Sequence, residues 1–295
     1  MANLTLKQLR YFESLARHGH FGRAAEAAAI SQPALSMQIK ELEDRLGAPL
    51  FDRSARAIRL TGFGEEFATR ARDILRLVEE LEDSARIARD QMAGRLRLGV
   101  IPTVAPYLLP QVIAELTRVY PALDLQLRET ITPKLLAELA EGRLDCAIVA
   151  LPVSEPALIE VPLFSEDFVL VRPLAEAGLS APNARDLREM RLLLLEEGHC
   201  FRDQALSFCK LQAAAPREVM DGSSLTTLVQ MVGAGIGVTL IPEMAVAVET
   251  RLAPVAVTRF AAPAPARQIG MVWRRSSPLA RQLAAIAEVV QGVRR

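Results

Sequence analysis

Three cysteines carry the chemistry that this sequence could most readily perform. Cys200 and Cys209 lie in the segment EEGHCFRDQALSFC, and Cys146 lies in LDCAIVA. The thiolate is the reactive form of cysteine, so a reactive cysteine needs surroundings that stabilise negative charge. Cys200 follows Gly198 and His199 and opens a predicted helix, whose first N–H groups and dipole favour an anion. The pair of Cys200 and Cys209 could therefore be redox-active, metal-binding or simply buried.

Composition and spacing bear on these alternatives. Three cysteines among 295 residues do not make a structural disulfide framework. A zinc site built from His199, Cys200 and Cys209 lacks a fourth ligand at suitable spacing, so no metal is expected. Cys146 lies in an apolar, strand-like run and is expected to be a buried small residue.

The N-terminal sequence and the hydropathy pattern predict a cytoplasmic protein. The start, MANLTLKQLR, lacks the apolar core of a signal peptide. No apolar run approaches the roughly 18 residues that a membrane span requires, so no membrane contact is expected.

Charge is balanced over the chain but unevenly distributed along it. Lys and Arg number 35, and so do Asp and Glu. Residues 1–60 hold nine basic against six acidic residues, a net of +3, whereas residues 61–90 hold five against eight, a net of −3. Any DNA contact is therefore expected at the N-terminal end, on a local basic face.

The N-terminal elements have the pattern of a winged helix-turn-helix. A helix over 4–17 and an Ala-rich helix, GRAAEAAA, precede a third helix between Ser31, a predicted N-cap, and Gly47, a predicted stop. The buried stripe predicted for this third helix is Leu35, Ile39, Leu42 and Leu46. Its predicted outward face is Pro33, Ser36, Met37, Lys40 and Asp44. The segment PLFDRSARAIRLT then predicts a short β-wing whose arginines can reach phosphates.

Residues 62–91 predict one long helix. Its apolar residues recur at alternating spacings of four and three, namely Phe67, Ala71, Ile74, Val78, Leu81, Ala85 and Ala88. This heptad seam favours helix–helix dimerisation. Packing of one amphipathic helix on its own domain is the alternative.

From residue 94 onward, strand-like and helical segments alternate, which is typical of parallel α/β sheets. The predicted fold is an all-α winged helix-turn-helix with a long linker helix, followed by a two-lobed α/β domain. The family resemblance described below implies that this second part is a regulatory domain like that of periplasmic binding proteins. The predicted domains are residues 1–60 for DNA binding, 61–92 for the linker and dimerisation, and 93–295 for regulation. The regulatory domain would divide into subdomain I (93–164 and 267–295) and subdomain II (165–266), with two crossings near residues 164 and 267.

The order of parts and several strings resemble a known family. FGRAAEAAAISQPALSMQIKELEDRLGAPLFDR is similar to the N-terminal domain of LysR-type transcriptional regulators, and the likeness extends over the whole chain. IPTVAPYLLP, KLLAELAEGRLDCAIVAL, IEVPLF and above all EEGHCFRDQALSFC resemble the OxyR-type peroxide sensors within that family. The resemblance implies an activator of oxidative-stress genes that binds double-stranded promoter DNA, acts with RNA polymerase, and needs neither enzyme activity nor a cofactor.

The resemblance also implies roles for individual residues. Cys200 would react with hydrogen peroxide, Cys209 would resolve the sulfenic acid to a disulfide, and cytosolic thiol reductants would reset the pair. The implied peroxide-binding residues are Thr103, Thr132, His199, Asp203 and Arg267. The implied DNA-binding residues are Gln32, Pro33, Ser36, Lys40 and Arg53. Dimers and homotetramers are implied as well, although the heptad seam itself supports only a dimer.

Simpler roles remain open for several of these residues. Thr132, which precedes Pro133, could be a helix N-cap, and Asp203 could be a partner of the helix dipole. Arg267 could sit in a structural ion pair. At the level of function, the alternatives are a regulator that answers a small-molecule metabolite in the cleft between the subdomains, and a thiol peroxidase.

Helix geometry constrains the proposed disulfide. Nine residues of continuous helix rise roughly 13.5 Å, whereas a disulfide needs Cα atoms within roughly 7 Å. If residues 201–209 are helical, the two cysteines cannot join without unwinding or moving that segment.

Overall fold

Residues 4–52, 58–87, 92–208, 221–222 and 224–293 are described by a computed structural model. The chain divides into two compact units, one ending at Ala85 and the other beginning at Arg86. Among these described ranges, no helix combines the length and the apolar character needed to traverse a lipid bilayer.

The first unit is a helix-turn-helix with the base of a wing. Its elements are α1 (Leu6–His18), α2 (Phe21–Ala27), α3 (Gln32–Leu46), β1 (Phe51–Asp52), β2 (Arg59–Leu60) and α4 (Gly62–Ile87). Phe12, Leu15 and Leu35 are fully buried at the centre of its core. The strands β1 and β2 pair antiparallel, as the predicted wing requires.

The boundaries of α3 follow from its caps, as the sequence predicts. The Ser31 hydroxyl accepts a hydrogen bond from the Ala34 N–H at 3.4 Å, which satisfies one free donor of the first turn. Gly47 ends the helix at φ +68°, a left-handed conformation that glycine adopts without strain.

The long helix α4 changes its surroundings along its length. Near its start, Ala68 and Ala71 are buried in the core of the first unit. Farther along, the side chains of Ile74, Leu77 and Leu81 are exposed by 43%, 56% and 71%. The alternative of packing on its own domain is thus correct for the first half, and dimerisation through the second half stays a prediction.

The second unit is built on one nine-stranded sheet. Its strands are β3 (Gly94–Val100), β4 (Leu123–Glu129), β5 (Cys146–Leu151), β6 (Leu158–Pro173), β7 (Leu192–Leu195), β8 (Asp221–Gly222), β9 (Val238–Pro242), β10 (Val255–Arg259) and β11 (Ala266–Arg274). Its helices are α5 (Ala105–Val119), α6 (Thr132–Ala140), α7 (Ala184–Glu189), α8 (Cys200–Phe208), α9 (Leu225–Gly233), α10 (Val246–Glu249) and α11 (Ala280–Val293). The strand order is β4-β3-β5-β11-β6-β9-β7-β8, with β10 paired to β6.

Two hydrophobic cores divide this unit into two lobes. One core lies around β3, β5, α5 and α11, and the other around β7, β9 and α9. In each lobe the central strands are parallel, β3 to β4 and β5 in the first and β7 to β9 in the second. We keep the names subdomain I and subdomain II for these lobes.

The lobes are joined by two long antiparallel strands, β6 and β11. The strand β6 runs for 16 residues without a break, from Leu158 to Pro173. The strand β11 pairs with its first half, and Arg267 lies directly opposite Glu166. The two strands that cross between the lobes therefore lie side by side.

Candidate functional site

Three helices begin where loops leave the parallel strands of the two lobes. Thr103 lies between β3 and α5, Thr132 is the first residue of α6, and Cys200 is the first residue of α8. In α/β sheets, ligands bind outside the carboxyl ends of the strands, where such helix starts gather.

The turn before α8 lies directly against the start of α6. Gly198 has φ +93°, and a Cβ atom built on it would lie 2.7 Å from Cδ1 of Ile131. Only glycine permits both this conformation and this approach. Cys200 is half-buried and packs against the core of subdomain I, although its helix belongs to subdomain II. The two lobes therefore meet at Cys200.

Arg267 is held in a buried network beside that helix. Its Nη1 donates to the Thr103 hydroxyl at 2.8 Å, and its Nη2 donates to the Thr103 carbonyl at 3.0 Å. Its Nε and Nη2 both donate to Oε2 of Glu166, at 3.0 and 2.8 Å. Its guanidinium carbon lies 5.4 Å from the ring centroid of Phe201, the neighbour of Cys200. The structure thus brings Thr103 and Arg267 together next to the first turn of α8.

Glu166 is the partner that the sequence did not reveal. Its side chain is 2% exposed and that of Arg267 is 0% exposed, so they form a fully buried ion pair. Nothing in the string SEDF distinguishes Glu166 from its acidic neighbour Asp167. Only the pairing of β6 with β11 places it opposite Arg267.

Thr132 does not cap its helix. Ile131 occupies the N-cap position, and no side chain caps α6. Within the described ranges, Oγ1 of Thr132 is buried without a hydrogen-bond partner. A buried polar atom without a partner costs about 1–3 kcal/mol, so this hydroxyl is suited to a bound ligand.

His199 contributes a buried, neutral imidazole. The residue is 6% exposed, and its Nε2 lies 4.0 Å from Oε1 of Glu196. Burial lowers the pKa of His199 and outweighs the opposing effect of Glu196. At neutral pH the ring therefore carries one N–H donor and one acceptor nitrogen.

Two other charged residues of α8 point elsewhere. Arg202 donates from Nη1 to the Leu195 carbonyl at 2.8 Å, at the end of β7. Asp203 is exposed in the first turn. It forms no hydrogen bond or ion pair with any described residue, so its observed placement fits a partner of the helix dipole.

Cys146, at the start of β5, is a core residue. Cys146 is fully buried in the core of subdomain I, and burial, with a smaller effect from Asp145, raises the pKa of its thiol well above its ordinary value. The expectation of a buried small residue is confirmed. Cys209 lies outside the described residues.

A second contact joins the lobes away from the cysteine. The Tyr107 hydroxyl, on α5, donates to Oε1 of Glu249, on α10, at 2.6 Å. Burial and this hydrogen bond raise the pKa of Tyr107, so the phenol stays protonated.

The surface of α3 suits the predicted contact with DNA. Gln32, Pro33 and Lys40 are exposed, and Ser36 is half-buried. Of the predicted buried stripe, Leu35, Ile39 and Leu42 are fully buried, whereas Leu46 in the last turn is half-buried against the same core. Arg53 lies outside the described residues.

A metal centre finds no support in the parts of the chain that the structure describes. These ranges contain no group of three or more His, Cys, Asp or Glu side chains that could hold a metal ion.

Comparison with known proteins gives concordant matches to both units. Residues 6–65 match the family described as bacterial regulatory helix-turn-helix protein, lysR family, and residues 89–295 match the LysR substrate binding domain. A probable hydrogen peroxide-inducible genes activator from Streptomyces viridosporus is 45% identical over 97% of this chain and 93% of its own length. The DNA-binding transcriptional dual regulator OxyR of Escherichia coli K12 is 42% identical over 98% of this chain and 95% of its own length.

Solved structures of similar proteins agree with these matches. A full-length OxyR variant from Pseudomonas aeruginosa superposes with a TM-score of 0.77 at 38% identity, covering 98% of this chain and 95% of that one. A hydrogen-peroxide-bound OxyR variant from Corynebacterium glutamicum superposes with a TM-score of 0.68 at 37% identity, covering 98% of this chain and 92% of that one.

Proposed function

Because the chain belongs to the LysR family of transcriptional regulators, we propose that it is a DNA-binding regulator switched by hydrogen peroxide through oxidation of Cys200. The observation that carries the peroxide role is the grouping at the start of α8. Cys200 is half-buried there, and Arg267, which is bonded to Thr103, lies over the ring of Phe201, the next residue. Ile131, which contacts the turn before α8, is followed by Thr132. The buried Thr132 hydroxyl has no hydrogen-bond partner in the described part of the chain.

The first chemical step is attack of the Cys200 thiolate on one oxygen of HOOH. An S–O bond forms, the O–O bond breaks, and the leaving hydroxide takes up a proton to become water. Sulfur is oxidised to sulfenic acid while the peroxide is reduced. The positive end of the helix dipole of α8 stabilises the thiolate of Cys200, its first residue. The Thr103 hydroxyl and Nη1 of Arg267 donate to the oxygen on which negative charge develops.

In the second step Cys209 attacks the sulfenic sulfur, an S–S bond forms and water leaves. The helix α8 runs without a break from Cys200 to Phe208, which places these two Cα atoms roughly 12 Å apart. Consecutive Cα atoms are about 3.8 Å apart, so the disulfide limit of roughly 7 Å cannot be met while this helix is intact. Disulfide formation therefore requires α8 to unwind or move, and this rearrangement is the proposed signal.

The first unit supplies the DNA contact in this proposal. Gln32, Pro33 and Ser36 would face base edges, with Lys40 and Arg53 on phosphates. The exposed apolar residues of α4 would pair with those of a second copy, and a two-fold dimer reads an inverted repeat. Tetramers, contact with RNA polymerase, reset by thiol reductants and a cytoplasmic location complete the proposal. One peroxide would change the state of one regulator, without sustained turnover.

The test combines a thiol count with a DNA footprint before and after one equivalent of hydrogen peroxide. Cys200→Ser should abolish the change in both, while the reduced footprint survives. Cys146→Ser is the matched control, because its buried thiol should not react, and it should respond like the parent chain. Oxidation of Cys146 before Cys200, or a peroxide response that persists in Cys200→Ser, would contradict the proposal.

A further inference from the structure

Arg267 has one N–H group without an acceptor among the residues that the structure describes. Arginine carries five N–H donors, one on Nε and two on each terminal nitrogen. Four are engaged, by Oε2 of Glu166 twice and by the carbonyl and hydroxyl of Thr103. The remaining N–H is on Nη1, the nitrogen that also donates to the Thr103 hydroxyl. Within the same described ranges that hydroxyl has no acceptor for its own proton, so two donors lie side by side.

Glu166 fixes this arrangement from the opposite strand. The two residues are direct cross-strand partners of β6 and β11. The other oxygen of the carboxylate, Oε1, accepts the backbone N–H of Met244 at 3.0 Å, from the segment that follows β9 in subdomain II. Glu166 is thus anchored to one lobe while Thr103 belongs to the other, and the guanidinium plane is held between them.

Glu166 also changes the electrostatics of the site. The side chains of Glu166 and Arg267 are 2% and 0% exposed, so solvent does not screen this pair. The negative charge of the Glu166 carboxylate offsets the positive charge of the Arg267 guanidinium, so the electrostatic attraction between Arg267 and the Cys200 thiolate is reduced. Arg267 is consequently equipped to donate a directed hydrogen bond rather than to raise the local positive potential.

From these contacts we infer that Glu166 is a positioning residue for the peroxide reaction, which orients the last free N–H of Arg267 toward the reacting oxygen. This inference rests on the proposed function. It assigns Glu166 no contact with peroxide; the residue acts through Arg267.

Two reactions of the Cys200 thiol should respond differently to a substitution at Glu166. Peroxide oxidation needs a donor to the leaving oxygen, whereas alkylation by iodoacetamide reports only thiolate content and access. Glu166→Gln removes the charge that holds the guanidinium, so the rate of sulfenic acid formation should fall at least about tenfold. Complete loss of an aligned donor costs about 10²–10³-fold, and this variant misaligns the donor without removing it. Alkylation should be unchanged or faster, because removal of the carboxylate leaves more positive charge beside the sulfur.

Both rates would be measured on the full chain in a Cys209→Ser background, so that the first step is followed alone. The matched control is Glu249→Gln, which removes another buried carboxylate of the same unit, bonded to Tyr107 rather than Arg267. It should leave the ratio of the two rates unchanged. A Glu166→Gln variant with the parental peroxide rate, or with both rates lowered equally, would overturn the inference.

A conservative variant, Glu166→Asp, covers the case in which Glu166→Gln fails to fold, because it keeps the buried charge of the pair. Its shorter side chain displaces the guanidinium of Arg267, so the rate of peroxide oxidation should fall while alkylation stays at the parental rate. Parental rates for both reactions in Glu166→Asp would overturn the inference. Absence of oxidation in the parent chain would instead refute the proposed function.

Discussion

At the scale of single residues, the site depends on which polar atoms have partners and which do not. The Arg267 guanidinium has four of its donors fixed, and the Thr132 hydroxyl is buried without a described partner. Resemblance to a family could identify these residues, because their strings are distinctive. It could not supply Glu166, whose position opposite Arg267 is a property of strand register and not of local sequence.

His199 provides a pH-dependent test at this scale. Burial lowers its pKa, so the unfolded chain binds a proton more readily than the folded one. The stabilisation from the neutral ring is therefore present above the unfolded pKa of about 6.5 and is lost as the pH falls below it. We expect His199→Gln to lose less free energy of unfolding than the parent chain between about pH 7.5 and 5.5.

Trp273 makes this measurement specific to the regulatory unit. It is the one tryptophan of the chain and is buried in the core of subdomain I. Urea unfolding followed by its fluorescence would give the free energies, with His18→Gln in the other unit as the control. An equal loss of stability in His199→Gln and the parent chain would argue against a buried neutral imidazole.

At the scale of elements, local signals predicted helix boundaries but not which strands pair. Ser31 and Gly47 mark both ends of α3, because capping depends on nearest neighbours in the sequence. The acidic residues Glu166 and Asp167 lie within the continuous strand β6, where Arg267 compensates the buried charge of Glu166. Such compensation comes from a strand about a hundred residues away, and periodicity cannot detect it.

The turn before α8 gives a test of how this element is placed. Gly198 and Gly178 both have positive φ, +93° and +87°, but only at Gly198 would a Cβ meet a neighbour within 4 Å. Alanine should cost about 1 kcal/mol of backbone strain at either position. Gly198→Ala should cost at least about 1 kcal/mol more than Gly178→Ala, because Ile131 must move.

Chemical denaturation of the two glycine variants would measure this difference. Gly198→Ala should also slow peroxide oxidation, since the start of α8 shifts away from α6, whereas Gly178→Ala should not. Equal stability and equal oxidation rates for the two variants would show that the contact with Ile131 does not position Cys200.

At the scale of the whole molecule, α4 presents apolar side chains that a single chain does not cover. Its residues Ile74, Leu77 and Leu81 are exposed on the far half of the helix. A charge at Leu81 should weaken helix–helix association, because an apolar heptad seam excludes water. Leu81→Glu is therefore expected to shift the protein toward monomers and to lower its affinity for an inverted-repeat site.

Sedimentation velocity and DNA titration would follow both effects. Leu252→Glu is the control, since Leu252 is 87% exposed on the regulatory unit and outside the helical seam. Unchanged association of Leu81→Glu would remove α4 from the assembly.

The bond between Tyr107 and Glu249 bears on how the two lobes can respond. It ties α5 of one lobe to α10 of the other, so a ligand that widened the cleft on this side would first have to break it, at a cost of about 1.5–3 kcal/mol. A two-oxygen oxidant that reacts at sulfur has no need to separate the lobes there, and the bond can persist while the cysteine changes its chemical state.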